Sequence, residues 1–493
     1  MTNTLLLIMI LLPVCAALCM LAIPALLKNR KLCNGYVTAV TVVTGAIFAV
    51  LLGCGKAEVS LFHMTEKMEL AFRMDGLGKL FAGITIAMWI ASAIFQTEYL
   101  KHEKDEVRYH FFFLCSLSTL LGITMSANLI TMYVFYELMT LMTFPLVLHS
   151  LSKEAIAAAM KYLFYSIAGA FMALLGVFYL NRYVNDFTFV AGGNLNTSLV
   201  QGNESLLLVL VFLMILGFGS KAGMFPLHGW LPTAHPVAPA PASALLSGNV
   251  TKMGVFAIIR VIYYVIGADF IRNTWVQYAF LSIALLTVVM GSMLAYKEQI
   301  LKKRLAYSTI SQVSYVLFGV ALLNKTAMLG ALLHVVFHSI VKNTLFMSAG
   351  AVIYKTSKTK VLDMVGIGKE MPIVMWCYTI ASITLIGIPP TSAFLSKWYL
   401  AEGALNSNVG IIRYLGPVLL LVSALLTAGY LLSITIRGFF PGKDYSYDTL
   451  KSTEPSRLMT VPLLVLATAA VLFGCFPNAL INFITTITAT ILG

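Results

Sequence analysis

Residues 217–246 read GFGSKAGMFPLHGWLPTAHPVAPAPASALL, and residues 383–403 read ITLIGIPPTSAFLSKWYLAEG. Both place Gly and Pro among apolar residues, with a lysine (Lys221, Lys397) beside the interruption. Proline removes a backbone donor and its ring clashes with the preceding turn, so neither stretch forms a plain helix. Interrupted backbone at membrane depth survives only where protein or an internal water-filled cavity satisfies its polar groups. Paired interruptions in the two halves of a chain point to internal repeats with ion sites between them.

The surrounding composition makes lipid the solvent. Of 493 residues, 59% are hydrophobic and 11% charged, against about 25% charged in a soluble domain. That excludes a cytosolic enzyme, a disordered chain and a collagen-like one. The long unalternated apolar runs also exclude a transmembrane β-barrel. At about 20 residues per span, the apolar content supplies roughly fourteen transmembrane helices. Polar interruptions divide the chain into seven apolar segments up to residue 227 and seven more from 239 to 485. With both termini outside, the inner loops hold 19 Lys and Arg, among them Lys28, Lys101, Lys302, Lys358, Lys443 and Lys451, and the outer loops hold seven. This is the asymmetry of the positive-inside rule.

The sequence therefore predicts an all-α polytopic membrane protein with about 14 transmembrane helices, two inverted five-helix repeats and two broken helices. Residues 1–108 form an N-terminal three-helix segment. Residues 109–266 form the first repeat (helices 4 to 8, broken near 205–235), and 274–437 the second (helices 9 to 13, broken near 371–401). A C-terminal helix covers 459–485. An odd-numbered unit repeated in tandem must be inverted in the membrane. Near-equal offsets support the pairing: Lys221 to Lys397 spans 176 positions and Glu137 to Gln312 spans 175.

Other functions find no apparatus. The seven cysteines show no Cys-x-x-Cys pair or zinc-like spacing, so no metal or cofactor is expected. The net charge of +13 reports topology, because no basic tract or polar domain is present to bind nucleic acid. Leu5–Leu27 is too long for a signal-peptide core and reads as the first span. No nucleotide loop, flavin fingerprint or nucleophile elbow marks a catalytic redox site, although the chain could serve a larger translocase.

Charges at membrane depth are the functional candidates. A charge at the centre of a span costs about 2.5–3.5 kcal/mol on insertion scales, so it has a partner or a conducting role. Glu137 stands in an apolar run, where the alternatives are a titrating group and a structural ion pair. Lys221 and Lys252 read as relay lysines. Burial disfavours their charged form and a nearby carboxylate favours it, so helix movement can switch them. His334, His338 and Lys342 recur every four residues and share one helix face. That face reads as a proton track or a polar core; a metal site is disfavoured because the Glu of HExxH is missing. Lys397 sits at the second break, and snorkelling to a surface is the bland alternative for it and for Lys221. His228 and His235 either connect bulk water to Lys221 or hold irregular backbone. Lys161 conducts or anchors. Arg260 and Tyr136 are weaker polar candidates, and Asp75 and Arg73 suggest an outer-face cap.

Five motifs carry a family resemblance: MYVFYELMTLMTFPLVL (132–148), SKAGMFPLHGWLPTAHPVAPAPASALLSGNVTKMG (220–254), KKRLAYSTISQVSY (302–315), LLHVVFHSIVKNTLFMSAG (332–350) and GIPPTSAFLSKW (387–398). Over about residues 70 to 435 the chain resembles the antiporter-like, proton-conducting membrane subunits shared by respiratory complex I, multisubunit (Mrp-type) sodium/proton antiporters and membrane-bound hydrogenases. The resemblance implies fourteen helices, inverted repeats broken at the seventh and twelfth, and a hydrated polar axis. It casts Glu137 as the acidic partner of an ion-paired Lys221, and Lys252 as the central lysine. His334 and His338 become the eleventh-helix histidines, and Lys397 the terminal residue. Gln312 stands where many members carry a titratable His, and Lys397 where complex I subunits of the fourth type carry Glu. The Lys397 departure looks more like the D-type antiporter members and the hydrogenase-associated ones.

The implied function is a proton-translocating subunit of a D-type multisubunit cation/proton antiporter. The alternatives are the equivalent subunit of a hydrogenase or complex I-like oxidoreductase, and a structural scaffold. Protons would enter near His228 and His235, load Lys221 and Lys252, pass His334 and His338, and leave by Lys397. The implied partners are other membrane subunits of a large hetero-oligomeric complex, protons, sodium as a candidate coupling ion, and lipid, without nucleic acid. The implied location is the inner (plasma) membrane.

Overall fold

The computed structural model describes residues 2–65, 67–442 and 452–492; Lys443 and Lys451 lie outside the described residues. Long helices dominate: α1 (Thr2–Ala22), α2 (Arg30–Gly53), α3 (Gly76–Tyr99), α4 (Glu106–Thr124), α5 (Leu129–Val147) and α6 (Lys153–Leu180). The first broken helix follows as α7a (Glu204–Ala222) and α7b (Leu231–Val237). Next come α8 (Ala240–Ile266), α9 (Trp275–Lys297), α10 (Leu301–Ala321) and α11 (Lys325–Thr356). The second broken helix is α12a (Pro372–Ile386) and α12b (Ser392–Leu405), before α13 (Ile412–Phe439), α14 (Arg457–Cys475) and α15 (Asn478–Leu492). The polytopic all-α reading holds.

Twelve helices among the described residues are long and apolar enough to cross a bilayer. The other two candidates depart from that measure for physical reasons. α10 carries Ser308, Thr309, Ser311, Gln312 and Ser314 along its middle, all buried. α12 is split, and each half is too short alone. The expected C-terminal helix over 459–485 is also two pieces, because Pro477 stops α14 at Cys475 and α15 starts at Asn478.

Composition gave no sign of an antiparallel hairpin, β1 (Glu58–Thr65) with β2 (Met68–Arg73). It marks one face of the protein. Asn3 accepts a hydrogen bond from the Glu58 N–H (3.2 Å), and Ile487 of α15 lies beside Gly76, so both chain ends reach this face. The opposite face gathers the basic loops, tied by Arg30–Glu106 (3.0 Å), by Arg108 donating to the His149 carbonyl (2.6 Å) and by an Ile300–Lys360 bridge.

The interior belongs to α8, α10 and α11, which pack against one another and are buried almost all round. A helix apolar on every side is a core element, and polar groups it carries face protein. α8 changes winding twice, with π-turns at Leu246–Val250 and Val261–Ile266 flanking the α-helical Thr251–Arg260. Gly254 lets α8 approach α7a: a Cβ there would lie 2.6 Å from the Phe218 carbonyl oxygen and 2.7 Å from the Ala222 nitrogen.

Near the hairpin face, Asp75 caps α3 by accepting from the Gly78 N–H (2.8 Å). It also takes a bidentate pair from Arg260 of α8, at 2.6 and 2.8 Å. The guanidinium is fully buried among the rings of Phe189, Phe256 and Tyr264. Arg260, a minor candidate by sequence, is thus the anchor of α8, and the expected Asp75 cap is present with an additional partner.

Candidate functional site

The two breaks are built alike. α7a is capped by Gly223 (φ +79°) and α12a by Gly387 (φ +92°), the left-handed conformation that glycine adopts without a Cβ penalty. A cis X-Pro bond follows each, Phe225–Pro226 and Pro389–Pro390. Glycines and cis-prolines both recur at an interval of 164 residues, whereas the lysines lie 176 apart. The lysines therefore occupy different places on the shared backbone plan. Lys221 precedes its break and Lys397 follows its own, which corrects the register read from lysine spacing.

Lys221 is buried in the last turn of α7a, where the negative end of a helix dipole favours a cation. Its ammonium donates to Thr140 Oγ1 (2.9 Å), Tyr162 OH (2.7 Å) and Ser166 Oγ (2.9 Å), and lies 4.3 Å from the centre of the Tyr162 ring. The expected ion pair is not formed: no Glu137 oxygen comes within 4.0 Å of this amine, and three hydroxyls fill its donor positions instead. Glu137 is half-buried, with Oε1 enclosed and unpartnered among the described residues. Tyr162 and Ser166 are one helical turn apart on α6, and Thr140 is on α5. Hydroxyls at helical spacing were the signal, but they are common in apolar helices.

Lys252 lies in the first turn after the first π-turn of α8, is buried, and donates to the Ser247 carbonyl at 2.5 Å. Ser247 Oγ shares a hydrogen bond with Thr309 of α10 (2.7 Å). On α11, Ser339 donates to the Gly248 carbonyl (2.6 Å), closing the π-turn from the other side. Lys342, buried on α11, donates to Ser308 Oγ (2.7 Å) and the Leu305 carbonyl (3.1 Å), and Tyr430 of α13 also donates to Ser308 (2.7 Å).

The expected stripe on α11 is present. His334 and His338 are fully buried, with ring centres 5.9 Å apart. His334 Nδ1 lies 2.9 Å from Ser396 Oγ, the residue before Lys397, and its ring stacks on Tyr315 at 5.6 Å. Its Nε2 and both nitrogens of His338 have no partner among the described residues, and the buried Gln312 has Tyr315 as its polar neighbour without a well-aligned hydrogen bond. Enclosed polar atoms of this kind cost roughly 1–3 kcal/mol each unless something hydrogen-bonds them.

Lys397 donates to the carbonyls of Leu385 (2.7 Å) and Ile386 (2.9 Å) at the end of α12a. It borders an apolar cleft of about 290 Å³ lined by Phe394, Trp398, Pro417 and Leu421. None of Lys221, Lys252, Lys342 and Lys397 has a carboxylate within 4.0 Å among the described residues.

The two loop histidines separate. His228 stacks on Phe225 (5.9 Å) and feels the charge of Lys161. Lys161 is half-buried, with Cε near Gly229. His235 lies elsewhere, against Phe346 (4.9 Å), with Lys302, Lys342 and Lys252 as its charged neighbours. His235 is therefore not a neighbour of Lys221.

Comparisons with known proteins agree with this architecture. Residues 126–432 match the family model described as NADH:quinone oxidoreductase/Mrp antiporter, TM. NADH-quinone oxidoreductase subunit N of Desulforudis audaxviator is 33% identical over 406 residues, covering 80% of this chain and 79% of that one. The D-type subunit of the Na(+)/H(+) antiporter of Bacillus subtilis is 27% identical over 451 residues, covering 89% and 87%. Among solved structures, a chain of the archaeal membrane-bound sulfane sulfur reductase superposes with a TM-score of 0.85 at 23% identity, covering 99% of this chain and 97% of that one. With the matched residues running from α5 through both breaks to α13, the chain belongs to the NADH:quinone oxidoreductase/Mrp antiporter transmembrane family, as an antiporter-like, proton-translocating membrane subunit.

Proposed function

We propose that protons cross this subunit along the Lys221, Lys252, His338, His334 and Lys397 series, with Glu137 biasing Lys221 from outside its hydroxyl cage. The observation that carries this reading is that the buried Lys221, Lys252 and Lys342 and the half-buried Lys397 are held by hydroxyls and carbonyls without carboxylates. Hydroxyls both donate and accept, so they can exchange a proton with an amine. A salt bridge would fix the charge in place. Water joining the enclosed nitrogens of His334 and His338 and the amide of Gln312 would complete the series. Lys342 and Ser308 form a side branch, and His228 with Lys161 a separate group near the first break.

The equivalent breaks support two inverted repeats, 109–266 and 274–437. Counting α10 and α12 gives fourteen spans, with the hairpin face and both termini outside the cell membrane. The finer assignment is a D-type subunit of a multisubunit cation/proton antiporter, working with other membrane subunits. It is supported by Lys397 and by the near end-to-end likeness to the D-type antiporter relative. The higher identity to subunit N favours a second reading, the equivalent subunit of a redox-driven, complex I-like or hydrogenase assembly. Copurifying redox subunits select the second reading, and small hydrophobic partners alone select the first. The axis itself is tested by Lys252→Ala in proteoliposomes of the assembled complex. Wild-type proton-coupled transport in that variant would sink the central role of Lys252.

A further inference from the structure

We propose that Glu103 and Lys302 form the mouth of a second proton route, which runs from the basic face through His235 into the middle of the axis. The proposal rests on the axis reading above and adds an access point that does not pass through Lys221.

The basic face holds an open cleft of about 510 Å³ lined by Lys28, Arg30, Glu103, Asp105, Glu106 and Arg108. Two of its carboxylates are paired, Glu106 with Arg30 (3.0 Å) and Asp105 with Arg108 (3.5 Å), which leaves Glu103 as the lining carboxylate without a salt bridge among the described residues. Glu103 is the one that leads inward. It is half-buried, directly after the short turn that ends α3, and its charged neighbours are Lys302 and His102. Burial raises its carboxyl above the usual range, against the opposing pull of Lys302 and His102, so this group takes up a proton more readily than an ordinary glutamate.

Lys302 is the second residue of α10 and only 7% exposed, and its amine lies 2.6 Å from the Ala238 carbonyl. Ala238 caps α7b, the short helix that carries His235. His235 is fully buried, and neither ring nitrogen has a partner among the described residues. Its ring sits in the field of Lys302 on the surface side and of Lys342 and Lys252 on the interior side. α10 spans the same distance with a polar face. From Lys302, Thr309 is about 10 Å along the helix and Gln312 about 15 Å, half of a ~30 Å hydrocarbon core. Thr309 and Ser308 already hold the Ser247 turn and Lys342. A proton arriving at His235 is thus delivered to the Lys252/Lys342 pair.

The bland role for Lys302 is to tie down the end of α7b, and substitution separates the two. Lys302→Arg retains a cationic donor for Ala238 but cannot release its proton at any working pH. In inverted vesicles holding the assembled complex, Lys302→Arg and Glu103→Gln are expected to slow proton translocation at least tenfold at unchanged complex content. Glu103→Asp should restore it to within about twofold. His235→Cys, compared with the parent chain, is expected to react with a membrane-impermeant thiol reagent added on the basic side only. Wild-type rates in both Lys302→Arg and Glu103→Gln would overturn the route, and so would labelling of His235→Cys only from the hairpin side or from neither side. Labelling reports access without any transport, so it stands apart from failure of the axis as a whole.

Discussion

Lys397, carried by α12b, places its ammonium on the carbonyl of Leu385 in α12a, 2.7 Å away, and Leu385 stands 164 residues after Lys221. The second break therefore sets an ammonium against the backbone of the residue equivalent to Lys221, by reaching back across the gap. Gly387 makes the reach feasible: it sits at φ +92°, and a Cβ there would lie 3.0 Å from Lys397 Cδ. Gly387→Ala should cost about 1–2 kcal/mol from the left-handed backbone alone and displace the amine. The expected result is a lower unfolding temperature together with a transport loss of tenfold or more. Lys397→Met should give the transport loss with little change in unfolding temperature. If Gly387→Ala transports like the parent chain, the position of the amine against α12a is immaterial.

The hydroxyl cage separates the parts played by Glu137 and Tyr162. Tyr162→Phe removes one of three acceptors of a buried ammonium and also the 2.6 Å contact to Thr143, and hydrogen bonds to charged groups are worth about 1.5–3 kcal/mol. Glu137→Gln touches no hydrogen bond of Lys221, so it should destabilise less than Tyr162→Phe while lowering proton transport. Unfolding of the purified protein in detergent, read beside transport in proteoliposomes, checks both. Equal destabilisation by the two variants would mean that Glu137 closes on Lys221 in the protein as purified.

Both breaks and the buried lysines were legible in sequence because Pro, Gly and an isolated charge are local signals against an apolar background. Long-range placement was not. The 176-residue lysine interval concealed the 164-residue backbone repeat, since a lysine side chain spans a gap that no offset records. Glu137 and Lys221 suggested an ion pair by type, but Thr140, Tyr162 and Ser166 reach the amine first, and three hydroxyls among many carry no distinguishing mark. Asp75 and Arg260 are 185 positions apart, so only the fold joins them. The hairpin was hidden because β1 is exposed along nearly its whole length and shows no alternation of buried and exposed residues.

The Asp75–Arg260 pair predicts acid sensitivity at the hairpin face. Burial would raise the Asp75 carboxyl, but the charge and hydrogen bonds of Arg260, the Gly78 N–H and the charge of Arg73 outweigh it and hold the group below the ordinary carboxylate range. A carboxyl lowered on folding stabilises the protein above its unfolded value, about 3.9, and the contribution fades as pH falls through the folded value. Unfolding temperature should therefore drop steeply below about pH 4, and Asp75→Asn should remove that part of the pH dependence. Arg260→Ala should cost about 3–5 kcal/mol, because it leaves a partly buried carboxylate unpaired. An acid limb unchanged in Asp75→Asn would assign the sensitivity to another group.

Gln312 offers the sharpest separation of stability from function. It is fully buried in the middle of α10, one turn beyond Thr309, with Tyr315 as its polar neighbour and no well-aligned hydrogen bond to either amide atom among the described residues. Replacing such a group with an apolar one of similar size removes an uncompensated desolvation term, so Gln312→Leu should leave the unfolding temperature unchanged or raise it. If water held by this amide joins the Lys252 region to the α11 histidines, the same substitution should reduce proton transport at least tenfold. Gln312→His restores hydrogen-bonding capacity and adds a group that titrates near neutral pH, so it should transport within about threefold of the parent chain and change the pH profile. A stabilised Gln312→Leu variant with undiminished transport would show that the proton route bypasses the centre of α10.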